Sequence, residues 1–118
     1  MSTILAIDDE VQNLEMVEYA LDKEYEVIPV RSGKAALDYL KEHTPDLILL
    51  DIMMPEMNGE ETLVELKKIK DFDTPVVALT ADAIQGAKEK YLKEGFDDYI
   101  AKPFTRDQIK EKLDKILK

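Results

Sequence analysis

The sequence predicts an α/β fold, a parallel sheet of five strands with helices on both faces. Three observations predict it. Short apolar runs alternate with stretches of helical periodicity along all 118 residues. Three of those runs, at 4–7, 47–50 and 75–79, are apolar almost without interruption, as strands buried on both faces of a parallel sheet are. The connections between runs are short, which suits strand–helix units packed side by side.

The elements follow in order. ILAI at 4–7 is an apolar strand running into Asp8-Asp9. Val11, Leu14, Val17 and Leu21 then recur at the spacing of a helix with one buried face. YEVIPV at 25–30 alternates as a strand does, and Pro29 within it marks an edge strand or a bulge. Residues 33–42 read as a short helix with Ala36, Leu37 and Leu40 inward, and LILL at 47–50 is a third strand ending in Asp51. Residues 59–69 are helical, with Leu63, Leu66 and Ile69 on one face. PVVAL at 75–79 is the fourth strand and ends in Thr80. Residues 83–94 are helical, weakened by Gly86 near the start. Gly95 suits the position just past its end. Residues 98–101 make a short fifth strand before Lys102-Pro103, and Ile109, Leu113, Ile116 and Leu117 mark the last amphipathic helix. The expected architecture is a three-layer, doubly wound (βα)5 sandwich forming a single domain over residues 1–118.

Composition narrows the function. No segment approaches the roughly eighteen consecutive apolar residues of a membrane span, and no basic stretch precedes the first strand, so neither a span nor a signal peptide is expected. Cysteine is absent, which excludes disulfides and thiolate chemistry and fits a cytoplasmic location. Asp and Glu number 26 against 16 Lys and Arg, a net charge of −10. Direct binding to nucleic acid or to an anionic membrane is therefore not expected, whereas a divalent cation is compatible. The last helix runs to the end of the chain, so no effector domain is expected.

Ligands of open α/β sheets bind outside the carboxyl ends of the strands. Strand 1 delivers Asp8 and Asp9 there, strand 3 Asp51, strand 4 Thr80 and strand 5 Lys102. Taken singly, each has an ordinary structural role: Asp8-Asp9 as a helix N-cap, Asp51 as a loop acid, Thr80 as a strand end, Lys102 as a surface residue. Together, three acids at adjacent strand ends repel one another unless a cation lies between them. Mg²⁺ takes oxygen ligands in this way, usually one or two carboxylates with waters and phosphate oxygens. Asp9 and Asp51 suit direct ligation, with Asp8 acting through water. A backbone carbonyl just after Asp51 suits a further ligand position. Thr80 and Lys102 are placed to bind phosphoryl oxygens. The set suits phosphoryl transfer, with Asp51 as the one central nucleophile, ionised at neutral pH because free Asp has a pKa of about 3.9.

Four motifs in order, AIDDE at 6–10, LLDIMMPEMNG at 49–59, ALTA at 78–81 and DDYIAKPF at 97–104, resemble the receiver domain of two-component response regulators. The likeness covers essentially the whole chain. It implies a flavodoxin-like sheet of order 2-1-3-4-5, Asp51 as phosphoacceptor, and Asp8, Asp9 and the Met53 carbonyl around Mg (or Mn). It also implies a switch pair of Thr80 and Tyr99, a phosphate-sensing Lys102, and a cis bond between Lys102 and Pro103. Pro55 and Gly59 are implied as the turn behind Asp51. The implied partner is a histidine kinase or histidine phosphotransfer protein. A downstream protein or a second copy would meet the face of helix 4, strand 5 and helix 5. The stretches ALTADAIQG and GFDDYIAKPF resemble receivers attached to hybrid histidine kinases. Met53 is expected at the site mouth, where a thioether cannot orient an attacking water, so slow self-dephosphorylation is expected. Met54 is expected as apolar filler.

Three rivals are weaker. An aspartate-nucleophile phosphatase of the dehalogenase type has its nucleophile after the first strand and a second Asp two residues on; here that position is Met53. A flavin or nucleotide binder needs a glycine- or hydroxyl-rich loop after strand 1, where this chain has DDEVQN. A docking module without chemistry has no need of the acid set.

Overall fold

The computed structural model describes residues 2–54, 57–81 and 86–117. Ten elements alternate: β1 (Ser2–Ile7), α1 (Val11–Leu21), β2 (Tyr25–Val30), α2 (Gly33–Leu40), β3 (Leu47–Asp51), α3 (Gly59–Lys67), β4 (Val76–Thr80), α4 (Ala87–Glu94), β5 (Asp98–Ala101) and α5 (Arg106–Leu117). All four strand pairs are parallel and the sheet order is β2-β1-β3-β4-β5. This is the doubly wound, flavodoxin-like sandwich expected from the sequence.

Each central strand divides its side chains between two cores, with the period of two that a pleat imposes. Ile4, Ala6, Leu47, Leu49, Val77 and Leu79 pack with Leu14 and Val17 of α1 and with Ile109 and Leu113 of α5. Leu5, Ile7, Ile48, Leu50, Val76 and Ala78 face the other way and pack with Ala36 of α2, Leu63 and Leu66 of α3, and Tyr91 of α4. A fully buried Leu or Ile contributes roughly 1.5–3 kcal/mol, and so strands covered on both faces carry almost no polar residue before their last position. Pro29 sits exposed on β2, an edge strand, in register with Ala6. There its missing N–H breaks no central ladder. No helix among the described residues is long and apolar enough to cross a membrane.

The elements depart from the sequence expectation mainly at their ends. β1 starts at Ser2 because Ser2 and Thr3 pair with Tyr25 and Glu26 of β2. α2 stops at Leu40 and α3 at Lys67, and Ile69 is held by a tighter turn in which its N–H donates to the Leu66 carbonyl at 3.1 Å. α4 starts at Ala87, directly after Gly86, whose φ of 90° lies outside the helical region. Residues 83–85, expected in that helix, lie outside the described residues. Gly95 ends α4 in the left-handed conformation, φ 113°, and its N–H donates to the Leu92 carbonyl at 3.1 Å. Val11 shares the helical spacing of the core residues yet is 44% exposed. It is the first residue of α1, whereas Leu14 in the same turn is buried against the sheet.

Candidate functional site

The register of the sheet gathers the site. Ile7 pairs with Leu50, Asp51 with Leu79, and Thr80 with Ala101. Asp8, Asp51, Thr80 and Lys102 therefore leave four adjacent strands within about one residue step of each other. From β1 the chain crosses to β2 on one side, and β3 lies on the other, so the site sits at the topological switch point of the sheet.

Asp8 and Asp51 are almost fully buried, at 1% and 2% exposure. The Lys102 ammonium lies between them, donating to Asp51 Oδ1 at 2.7 Å and to Asp8 Oδ2 at 3.2 Å. The other Asp8 oxygen accepts from the Glu10 N–H at 3.0 Å. One lysine does not balance this charge. Burial pushes the Asp51 carboxyl up to about 6, the Lys102 hydrogen bond pulls it down, and the Asp8 charge pushes it further up. For Lys102, burial works against the ammonium, but the hydrogen bond to Asp51 and the charges of Asp51 and Asp8 hold it above the ordinary lysine range.

Asp9 adds a third carboxylate. Each of Asp8, Asp9 and Asp51 offers an oxygen within 4.8 Å of the others. Asp9 Oδ1 is buried and has no hydrogen-bond partner among the described residues. A buried carboxylate oxygen without a donor is costly. Three hard oxygen donors with one of them orphaned fit a small divalent cation such as Mg²⁺.

The segment after Asp51 folds back on itself. The Ile52 N–H donates to the Leu79 carbonyl at 3.0 Å, and the Gly59 N–H to the Ile52 carbonyl at 2.9 Å. A Cβ at position 59 would fall on the Asp51 carbonyl oxygen and within 2.7 Å of Ile52 Cα, so this approach requires glycine. Asn58 starts α3 with a capping box: the Glu61 N–H donates to Asn58 Oδ1 at 2.8 Å, and the Asn58 N–H donates to Glu61 Oε1 at 3.2 Å. Pro55, expected as part of this turn, lies outside the described residues. Met54 is buried in the core under α2, α3 and α4, whereas Met53 is 76% exposed.

On the other flank, the Lys102 N–H donates to the Thr80 carbonyl at 2.8 Å, and the Lys102–Pro103 bond is cis. Thr80 is buried, and its hydroxyl lies 3.0 Å from the hydroxyl of Tyr91. Tyr99 is half-buried, its ring centre 6.1 Å from that of Tyr91 and 5.9 Å from Lys112 Nζ. Sequence reasoning did not single out Tyr91. Its spacing from Ala87 marks it as a core residue of α4, and only the packing of α4 on the sheet brings its hydroxyl to Thr80.

The family model of the response regulator receiver domain matches residues 4–114. The heme response regulator HssR of Staphylococcus saprophyticus is 39% identical over 120 residues, which take in 100% of this chain and 52% of that protein. The chain thus spans about half the length of that relative. The chemotaxis response regulator CheY4 of Vibrio cholerae superposes with a TM-score of 0.91 at 28% identity, covering 99% of both chains. The receiver domain of the sensor histidine kinase PA1611 of Pseudomonas aeruginosa, with a magnesium ion coordinated in its active-site cleft, gives 0.85 at 32% identity, covering 97% of this chain and 95% of that one. These likenesses reach both a chemotaxis regulator and a kinase-borne receiver, so they do not single out the hybrid-kinase type. With the sheet order, the strand-end acids and the match along nearly the whole chain in agreement, the chain belongs to the response regulator receiver family of two-component signal transduction.

Proposed function

We propose that Asp51 accepts a phosphoryl group from a phosphohistidine of a histidine kinase or histidine phosphotransfer protein. The observation that carries this is the buried Asp51 carboxylate at the tip of β3, 2.7 Å from the Lys102 ammonium and clustered with Asp8 and Asp9. An Asp51 oxygen attacks phosphorus, the bond from phosphorus to the imidazole nitrogen breaks, and the electron pair returns to the ring. A magnesium (or manganese) ion, held by Asp9, Asp51 and the Met53 carbonyl and by Asp8 through water, would supply positive charge against the phosphoryl oxygens. Lys102 exchanges its bond to Asp51 for one to a phosphoryl oxygen, and the Thr80 hydroxyl donates to another. Positioning and charge neutralisation of this kind supply most of the catalysis in phosphoryl transfer. The chain assists its own phosphorylation and the hydrolysis of its own acyl phosphate, and turns over no separate substrate.

Output follows from Thr80. As it moves toward the phosphoryl group, Tyr99 turns inward and the face formed by α4, β5 and α5 changes shape, where a downstream protein or a second copy reads it. Shifting a population from 1:99 to 99:1 takes roughly 5.5 kcal/mol. A few charge-assisted hydrogen bonds at about 1.5–3 kcal/mol each reach that scale. Residues 1–118 act here as a single receiver in the cytoplasm. The dehalogenase-type phosphatase is disfavoured, because Met53 stands where its second acid belongs.

The test is incubation with Mg²⁺ and acetyl phosphate, followed by intact mass. The wild-type chain is expected to gain one phosphoryl group and Asp51→Asn none. No gain by the wild type, or an equal gain by the variant, would overturn the assignment.

A further inference from the structure

Of the eight residues of α4 only Ala87 and Tyr91 are buried. Ala87 offers a single methyl, so Tyr91 is the main anchor of α4 on the sheet. Its ring meets Phe96 edge to face at 5.8 Å between centres and tilts against Tyr99 at 6.1 Å. Its hydroxyl, buried with the rest of the side chain, shares a hydrogen bond with the Thr80 hydroxyl at 3.0 Å. One side chain thus touches the strand-end hydroxyl, the half-buried tyrosine of β5 and the core that holds α4.

We propose that Tyr91 is a positioning residue that latches Thr80 in the resting state and couples its release to the seating of α4. The latch rests on the reading of Thr80 as a ligand of the phosphoryl group. Two effects of the hydroxyl act in the same direction. In the resting state it holds Thr80 toward α4. Once Thr80 turns to the phosphoryl oxygen, the Tyr91 hydroxyl loses that partner in a dry setting, which disfavours the activated state. Relief comes from moving Tyr91, and with it the anchor of α4 and the ring against Tyr99. Tyr91 makes no contact with the reacting atoms. It acts through Thr80.

Tyr91→Phe removes the hydroxyl and keeps the ring, so the packing against Phe96 and Tyr99 survives. Beryllofluoride binding in the presence of Mg²⁺, measured by calorimetry, reads the activated state without turnover. The variant is expected to bind about three- to tenfold tighter than wild type, the factor carried by one buried hydrogen bond. In a Thr80→Ala background the same change is expected to have no effect, because the latch partner is already gone. Hydrogen exchange of the α4 amides in the free variant is expected to rise toward that of the beryllofluoride-bound wild type. Equal or weaker binding by Tyr91→Phe overturns the latch, as does an equal gain in both backgrounds, which would mark a packing effect independent of Thr80. Absence of binding by the wild-type chain would overturn the phosphoacceptor reading and the latch with it, whereas binding that is equal in wild type and variant overturns the latch alone.

Discussion

Asp51→Asn is expected to stabilise the fold, and the gain is expected to depend on pH. Asp51 is 2% exposed and its carboxyl stands at about 6 against an ordinary 3.8, first through burial and then through the balance of Lys102 and Asp8. The native carboxyl therefore holds its proton more tightly than the unfolded one. Between about pH 4 and pH 6 the folded state binds more protons, and stability falls as pH rises through that window. At ~1.36 kcal/mol per pH unit, the full cost above pH 6 is ~3 kcal/mol. Asparagine keeps the size and cannot ionise. Lys102 loses the charge of its 2.7 Å partner, though an amide oxygen can still accept, and keeps Asp8 at 3.2 Å, so a gain of ~1–3 kcal/mol is expected at pH 8. It should shrink through pH 6 and vanish near pH 4. For a chain of this length ~1 kcal/mol corresponds to ~4 °C in Tm. Urea unfolding followed by circular dichroism at several pH values, with chelator present, measures it. Added Mg²⁺ should narrow the gap by stabilising the wild type more, by ~1.4 kcal/mol at ten times its dissociation constant. A variant less stable than wild type at pH 8 would refute the reasoning and show that Lys102 already compensates the charge, and a gain equal at pH 4 and pH 8 would refute it by showing that the gain does not come from ionisation.

Two further outcomes are expected. Met53 is 76% exposed and directly follows the Asp51-Ile52 pair; Met53→Asn should shorten the lifetime of the phosphorylated chain, because an amide can orient water where a thioether cannot, and a lifetime unchanged or longer would contradict this. Gly59→Ala places a methyl against the Asp51 carbonyl oxygen and Ile52 Cα, and should cost ~1–3 kcal/mol in urea unfolding, as overpacking does; an unchanged midpoint would contradict the close approach.

Much of this molecule was legible from local pattern. The runs at 4–7, 47–50 and 75–79 had to be central strands, because segments so apolar are stable only when covered on both faces. Pro29 had to lie at an edge or a bulge, because a central ladder needs its N–H. Parallel winding put Asp8-Asp9, Asp51, Thr80 and Lys102 at the same edge of the sheet, whereas the strand order that makes their four strands neighbours came from the family resemblance and is seen in the structure. Helix ends were less legible. α3 stops at Lys67 where the chain tightens into the turn that holds Ile69, and α4 starts at Ala87 because Gly86 before it takes a positive φ; hydrophobic spacing encodes neither. Val11, in step with core residues along the chain, is nonetheless 44% exposed at the first position of α1, which spacing does not encode.

The sequence by itself determined the layer architecture and which side chains stand at the strand ends, because periodicity and burial are local consequences of composition. The tertiary structure alone decided the contacts among those ends. It seated the Lys102 ammonium between Asp8 and Asp51, left Asp9 Oδ1 without a protein partner among the described residues, and set the Thr80 hydroxyl against Tyr91. These are distances between residues 11 to 94 positions apart. They are fixed by strand register and by the angle at which helices pack, and those arise only when the two cores close on the sheet.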